Sequence, residues 1–117
     1  MHGLSSDIDL SSFAGVRVEQ ICFGENEIII RFSREHALTI ESAVEVCVSH
    51  GCVRCSSSRA AMLHLGALFG KVVLSAKSVD EKHLRVEFEC SVTITCEDSN
   101  DAYESYSIKM GERILIV

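Results

Sequence analysis

The chain has 117 residues, 47 % of them apolar, a mean hydropathy of +0.22 and a formal net charge of −6 from 17 acidic and 11 basic side chains. That composition excludes intrinsic disorder, which requires low hydrophobicity and high charge density, and a chain of this length buries roughly two-thirds of its unfolded surface in one core. The acidic excess and the scatter of Arg17, Arg31, Arg54, Arg59, Lys71, Lys77 and Lys82 argue against a nucleic-acid partner, whose phosphates need clustered bases.

Residues 1–7 hold no basic segment followed by an apolar one, so no secretory signal is expected and the chain reads as cytoplasmic. No apolar run approaches the ~20 residues that cross a bilayer. Residues 9–14 read as a single helical turn before Gly15. In the strand that follows, Val16 and Val18 share one parity and Ile21 and Phe23 the other, and a bulge near Glu19-Gln20 turns all four inward. Gly24-Glu25-Asn26 makes a short hairpin loop. Ile28, Ile30 and Phe32 then alternate with Glu27, Ile29 and Arg31, the period of two of a half-buried strand. Arg34-Glu35-His36 bends the chain into Leu38-x-Ile40, so His36 reads as solvated. Val44, Val46 and Val48 line one face of the next strand, with Glu45 and Cys47 opposite.

Ser56-Ser57-Ser58 offers N-caps to a helix over residues 59–69. Ala61, Leu65 and Leu68 form its apolar stripe, Gly66 weakens it by about 1 kcal/mol, and Gly70 caps its end. After Val73, residues 79–82 form a turn, and His83 beside them reads as solvated. Leu84, Val86 and Phe88 alternate with Arg85, Glu87 and Glu89; Glu89-Cys90-Ser91 turns the chain; Val92, Ile94 and Cys96 alternate with Thr93 and Thr95. Residues 97–101 make a solvated acidic loop without the glycine of a calcium loop. Tyr106-Ile108-Met110 alternates with Tyr103-Ser105-Ser107, Met110-Gly111-Glu112 is a tight turn, and residues 113–117 form a last apolar strand. The chain lacks proline, one common protection of sheet edges, so the last strand either sits centrally or pairs with a second subunit.

Two stretches follow one pattern. Leu10-x-x-Phe13-x-Gly15-x-x-Val18 corresponds to Leu65-x-x-Leu68-x-Gly70-x-x-Val73. Past a turn, Ile28-x-Ile30-x-Phe32 and Leu38-x-Ile40-Glu41 correspond to Leu84-x-Val86-x-Phe88 and Ile94-x-Cys96-Glu97. Tandem hairpin repeats over about 10–42 and 65–98 are expected within one domain, 1–117. The fold class that follows is mainly β (α+β by a strict count): an antiparallel sheet, barrel-like or two-sheet, with one short helix.

The sharpest chemical constellation is Cys47, His50, Cys52 and Cys55, in the connector 43–58 outside the shared pattern. Cys52 and Cys55 with Cys47 or His50 offer a zinc donor set. The C-x₄-C-x₂-C spacing, with Cys90 or Cys96 as fourth ligand, is that of a plant-type [2Fe–2S] centre. Against both, four ligands within nine residues are cramped, and Cys47 continues a strand. The six cysteines read as free thiols in a reducing compartment, and no cofactor is expected. No nucleotide-binding or hydrolase motif occurs, and none of the five histidines sits at metalloprotease spacing. Glu41 and Glu97 occupy equivalent strand ends and read as local partners rather than a catalytic pair.

Leu65, Leu68, Gly70, Val73, Leu84, Phe88 and residues 104–108, with Tyr106 in the place of a tryptophan, resemble a group of small bacterial domains of unknown function. The resemblance covers residues 10–108. It implies a binding module of the immunity or accessory type found in toxin loci, not an enzyme. The expected function is a non-catalytic intracellular protein-interaction module with a protein partner and a homodimer. The alternatives are a metal or redox protein built on Cys47–Cys55 and a small-ligand binder using a cavity between the halves.

Overall fold

Alternation with a period of two governs most of the chain, and a computed structural model describing residues 8–80, 83–97 and 106–117 resolves it into strands. In chain order these are β1 (Val18–Phe23), β2 (Ile28–Phe32), β3 (His36–Ile40), β4 (Val44–Val48), β5 (Gly51–Cys55), β6 (Val73–Ser78), β7 (His83–Phe88), β8 (Val92–Glu97), β9 (Tyr106–Met110) and β10 (Arg113–Ile116). The helix α1 spans Ser58–Leu65, capped by the Ser57 hydroxyl, which accepts from the Ala60 N–H at 3.1 Å. The chain then tightens into a 3-10 turn over Gly66–Leu68 instead of continuing the helix to residue 69. Ala61, Leu65 and Leu68 are all buried, as one apolar stripe requires. The expected turn before Gly15 is likewise a 3-10 turn, Ser11–Phe13. The proposed turn residues Glu81 and Lys82, the loop from Asp98, and Tyr103 to Ser105 lie outside the described residues.

The strands form two five-stranded antiparallel sheets, in the orders β1-β2-β3-β9-β10 and β5-β4-β8-β7-β6. Among the described residues the sheets do not close into a barrel; of the two architectures expected, the two-sheet one holds. Among the described residues β10 is an edge strand and not a central one. The sheets exchange hairpins: β4–β5 follows β3 in the chain but pairs with β8, while β9–β10 follows β8 but pairs with β3. Both first strands carry a register shift, at Val18/Gln20 in β1 and at Val73/Ser75 in β6. The first is the bulge that the parity change at Glu19-Gln20 requires.

The sheets touch through backbone at one corner. Gly15 N–H donates to Val73 O at 2.8 Å, and Gly70 N–H donates to Val18 O at 3.0 Å. Val18 N–H donates to Lys71 O at 2.9 Å, and Val73 N–H donates to Val16 O at 2.8 Å. Each pair repeats the other with the roles of the two segments reversed, about the bridge between Arg17 and Val72. Both glycines hold φ in the left-handed region, +91° and +80°, which an L side chain adopts only at a cost.

Inward side chains of both sheets merge into one cluster, in which Phe13, Ile30, Leu38, Ile94, Tyr106 and Ile108 are almost wholly buried. Phe32 stacks between the edge of Phe13, at 5.6 Å, and Phe88, at 6.5 Å, joining the two sheets. His36 belongs to this packing. It is 7 % exposed, its ring meets Phe13 edge-on at 4.8 Å, and the solvated reading of the sequence is corrected. The cause is local: Arg34 and Glu35, at φ 60° and 57°, complete the turn, so His36 already opens β3 with its side chain inward. The ring nitrogens are satisfied, Nδ1 donating to Arg34 O at 2.8 Å and Nε2 accepting from the Ser12 hydroxyl at 2.9 Å.

Two backbone substitutions test this frame. No atom lies within 4 Å of a Cβ built at Gly70, so Gly70→Ala is expected to lose about 1–2 kcal/mol through backbone conformation alone. Glu35→Gly relieves the same conformation and is expected to gain about 1 kcal/mol, or ~4 °C in Tm. Thermal and urea unfolding read both; equal Tm values for the two variants would show that the left-handed conformations do not matter.

Candidate functional site

Because the inward faces are consumed by the core, chemistry is confined to the outward faces, the edges and the turns. The outward face of the second sheet carries two cross-strand rows: Cys52-Cys47-Thr93-Glu87-Ser75 and Arg54-Glu45-Thr95-Arg85-Lys77. Arg54 donates to Glu97 at 2.9 Å, and Lys77 lies 3.8 Å from Glu87. These exposed pairs hold side chains in place but contribute little stability. Glu45, Arg54, His83, Thr95 and Glu97 surround a shallow depression of about 200 Å³. His83 opens β7 half-buried rather than lying in the turn, and its ring faces Asp80 at 2.8 Å.

The outward face of the first sheet reads differently, as Cys22-Ile29-Thr39-Ser107-Ile116 and Gln20-Arg31-Ala37-Lys109-Ile114. Ile114 and Ile116, on the edge strand β10, are 61 % and 49 % exposed. In the sequence they are only members of an apolar strand. The register against β9 shows that both lie on the outward face while Leu115 turns toward the core.

Of the four candidate ligands, Cys47 and Cys52 are brought together and joined as a disulfide, so the expectation of free thiols throughout is corrected. The reason is register: Ser49 and His50 form a two-residue turn, which sets Cys47 directly opposite Cys52. Equal spacing of two cysteines about a two-residue turn was a signal present in the sequence. Cys55, three residues beyond Cys52, is on the opposite face of β5 and buried against the core. His50 sits in the turn, 3.4 Å from the Ser49 hydroxyl. The third donor near the two sulfurs is Glu45, two residues before Cys47 on the same face; the three donor atoms lie within 4.8 Å of one another.

Cys55 and Cys96 both face inward and flank Val44. Burial raises the Cys55 thiol, and burial followed by the adjacent Glu97 charge pushes Cys96 up to about 12. Cys90 is exposed, at a left-handed turn position. Between the β1–β2 turn and the start of α1, two open depressions of about 190 and 320 Å³ share Glu25 and Ser58. Among the described residues, no helix is long and apolar enough to cross a membrane.

One family of unknown function, DUF6188, matches residues 10–117, in line with the resemblance to small domains of unknown function. No curated protein and no solved structure matches the chain.

At pH 8 a soluble thiol reagent is expected to modify Cys90 and to spare Cys55 and Cys96 until the protein unfolds. The neutral Cys96 thiol is favoured in the fold, so its contribution to stability is complete below the unfolded value of 9.0 and is lost as pH rises from there to about 12. Urea unfolding across that window should show the decline, and Cys96→Val should flatten it. An equal slope in the variant would assign the decline to other groups.

Proposed function

Since the chain belongs over residues 10–117 to DUF6188, a family whose function is unknown, its role has to be read from its surface, and we propose that it is a non-catalytic, intracellular protein-binding module. The observation that carries this reading is the edge of the first sheet. β10 pairs with β9 on one side only among the described residues, and Ile114 and Ile116 project from it into solvent. An unpaired, apolar edge is the surface to which another chain adds a strand, with backbone hydrogen bonds for affinity and side chains for register.

A second copy of the chain is the simplest occupant, because two β10 strands paired antiparallel would join two five-stranded sheets into one and bring four isoleucines side by side on one face. The likeness of the two halves supports descent from a duplicated unit. It also supplies a comparison: β5 holds Cys52 and Arg54 at the places where β10 holds Ile114 and Ile116, so the fold itself does not call for exposed isoleucine there. An immunity-type role, in which the module occupies a partner protein, fits the net charge of −6, which favours encounter with a basic surface. The depressions beside α1 are too open to enclose a small ligand, which normally loses most of its surface to its pocket.

Sedimentation of the purified chain is expected to show a concentration-dependent dimer, and Ile114→Lys with Ile116→Lys to give a folded monomer with an unchanged circular dichroism spectrum. Both side chains are exposed, so the stability cost should be within about 0.5 kcal/mol. A monomer at high concentration in the unaltered chain would sink the self-pairing and leave the edge to a different partner.

A further inference from the structure

The β4–β5 hairpin has a counterpart in β9–β10, which occupies the matching place in the other sheet. Both hairpins turn through two residues, Ser49-His50 in one and Gly111-Glu112 in the other. Lys109 faces Ile114 where Cys47 faces Cys52, and Ser107 stands where Glu45 stands. The second hairpin thus keeps the same register without a crosslink. A disulfide in the first is therefore not required by the architecture, and neither is a carboxylate beside it.

We propose that Glu45, Cys47 and Cys52 form a binding site for zinc or a similar thiophilic divalent cation, open only when the two cysteines are reduced. This goes beyond the protein-binding reading and does not rest on it. Cys47 and Cys52 supply two thiolates and Glu45 one carboxylate oxygen, all three from one outward face and already within 4.8 Å of one another. Two sulfurs, one oxygen and a water complete the tetrahedral set that zinc favours. Cys52 is exposed, so the cation reaches the site from solvent. Arg54, opposite Glu45, is engaged with Glu97 at 2.9 Å, which turns its positive charge toward a different carboxylate. Cys55 and His50 are not part of the site: the first lies on the buried face, the second in the turn.

Metal and disulfide exclude each other because they use the same two sulfurs. A low-molecular-weight disulfide is the oxidant that closes the site. One protein thiolate attacks it, forming a mixed disulfide and releasing one thiolate; the second protein thiolate then displaces the other, leaving Cys47–Cys52 joined and the cation released. The protein sulfurs lose two electrons, and the small disulfide becomes two thiolates. Reduction by two small thiols reverses the sequence, and cation binding then drives off the two thiol protons.

The test is a zinc titration of the full chain against a chromophoric chelator, after reduction with a phosphine and after oxidation with glutathione disulfide. The expected result is one zinc per reduced chain and none per oxidised chain. Cys47→Ser and Cys52→Ser should each abolish binding, and Glu45→Gln should weaken it about tenfold. Cys22→Ser with Cys90→Ser should leave it intact. The oxidised unaltered chain serves as the control that needs no variant. No binding by the reduced chain, binding that survives Cys47→Ser, or an unchanged affinity in Glu45→Gln would each overturn the three-donor site.

Discussion

Four backbone hydrogen bonds between residues 15–18 and 70–73 fix the geometry of the molecule. They are made where β1 and β6 begin, so they set the position of each sheet's first strand relative to the other. Two glycines are needed because the chain must reverse its twist to bring those N–H groups across. Ser33 N–H donates to Arg17 O at 2.9 Å and Glu89 N–H to Val72 O at 3.0 Å, tying the end of each second strand to the same corner. Arg17 adds a side-chain bond to Gly70 O at 2.8 Å. The aromatic contact of Phe32 with Phe13 and Phe88 lies between the sheets that this corner holds together.

Given that corner, the inward faces of the two sheets are interchangeable in kind and the outward faces are not. Inward positions in both sheets are apolar side chains, two thiols and the packed His36 ring, because the sheets share one core. Outward, one sheet mixes carboxylates, bases and a pair of sulfurs, while the other ends in isoleucines at its edge. Differences between equivalent positions of a common framework are a sharper guide to function than the framework, since packing alone does not account for them.

The sequence made the strands legible because alternation with a period of two survives in a two-sheet core, each strand having one dry face. It also revealed the β1 bulge, since Val18 and Ile21 cannot both face inward on a regular strand. It did not reveal which strands pair. The exchange of β4–β5 and β9–β10 leaves no mark on either hairpin, as a strand's parity is the same whatever neighbour it finds. His36 was misread because a turn residue and the first residue of a strand are neighbours in sequence but opposite in environment. The disulfide depends on register and not on compartment: the two-residue turn that aligns Cys47 with Cys52 exists only where β4 and β5 form one hairpin.

The exchanged hairpins also govern how the chain can acquire its structure. β3 finds its inner neighbour only in β9, and β4 finds its neighbour in β8, so each sheet draws strands from distant parts of the sequence. Neither sheet can reach five strands while the other half is missing. During synthesis β4–β5 is complete long before β8 exists to receive it, and β3 keeps a bare side until β9 emerges. Closure of such long loops comes before the contacts that reward it, which slows folding and makes it cooperative across the whole molecule. The two sheets are distinct in space, but as a folding unit they are one.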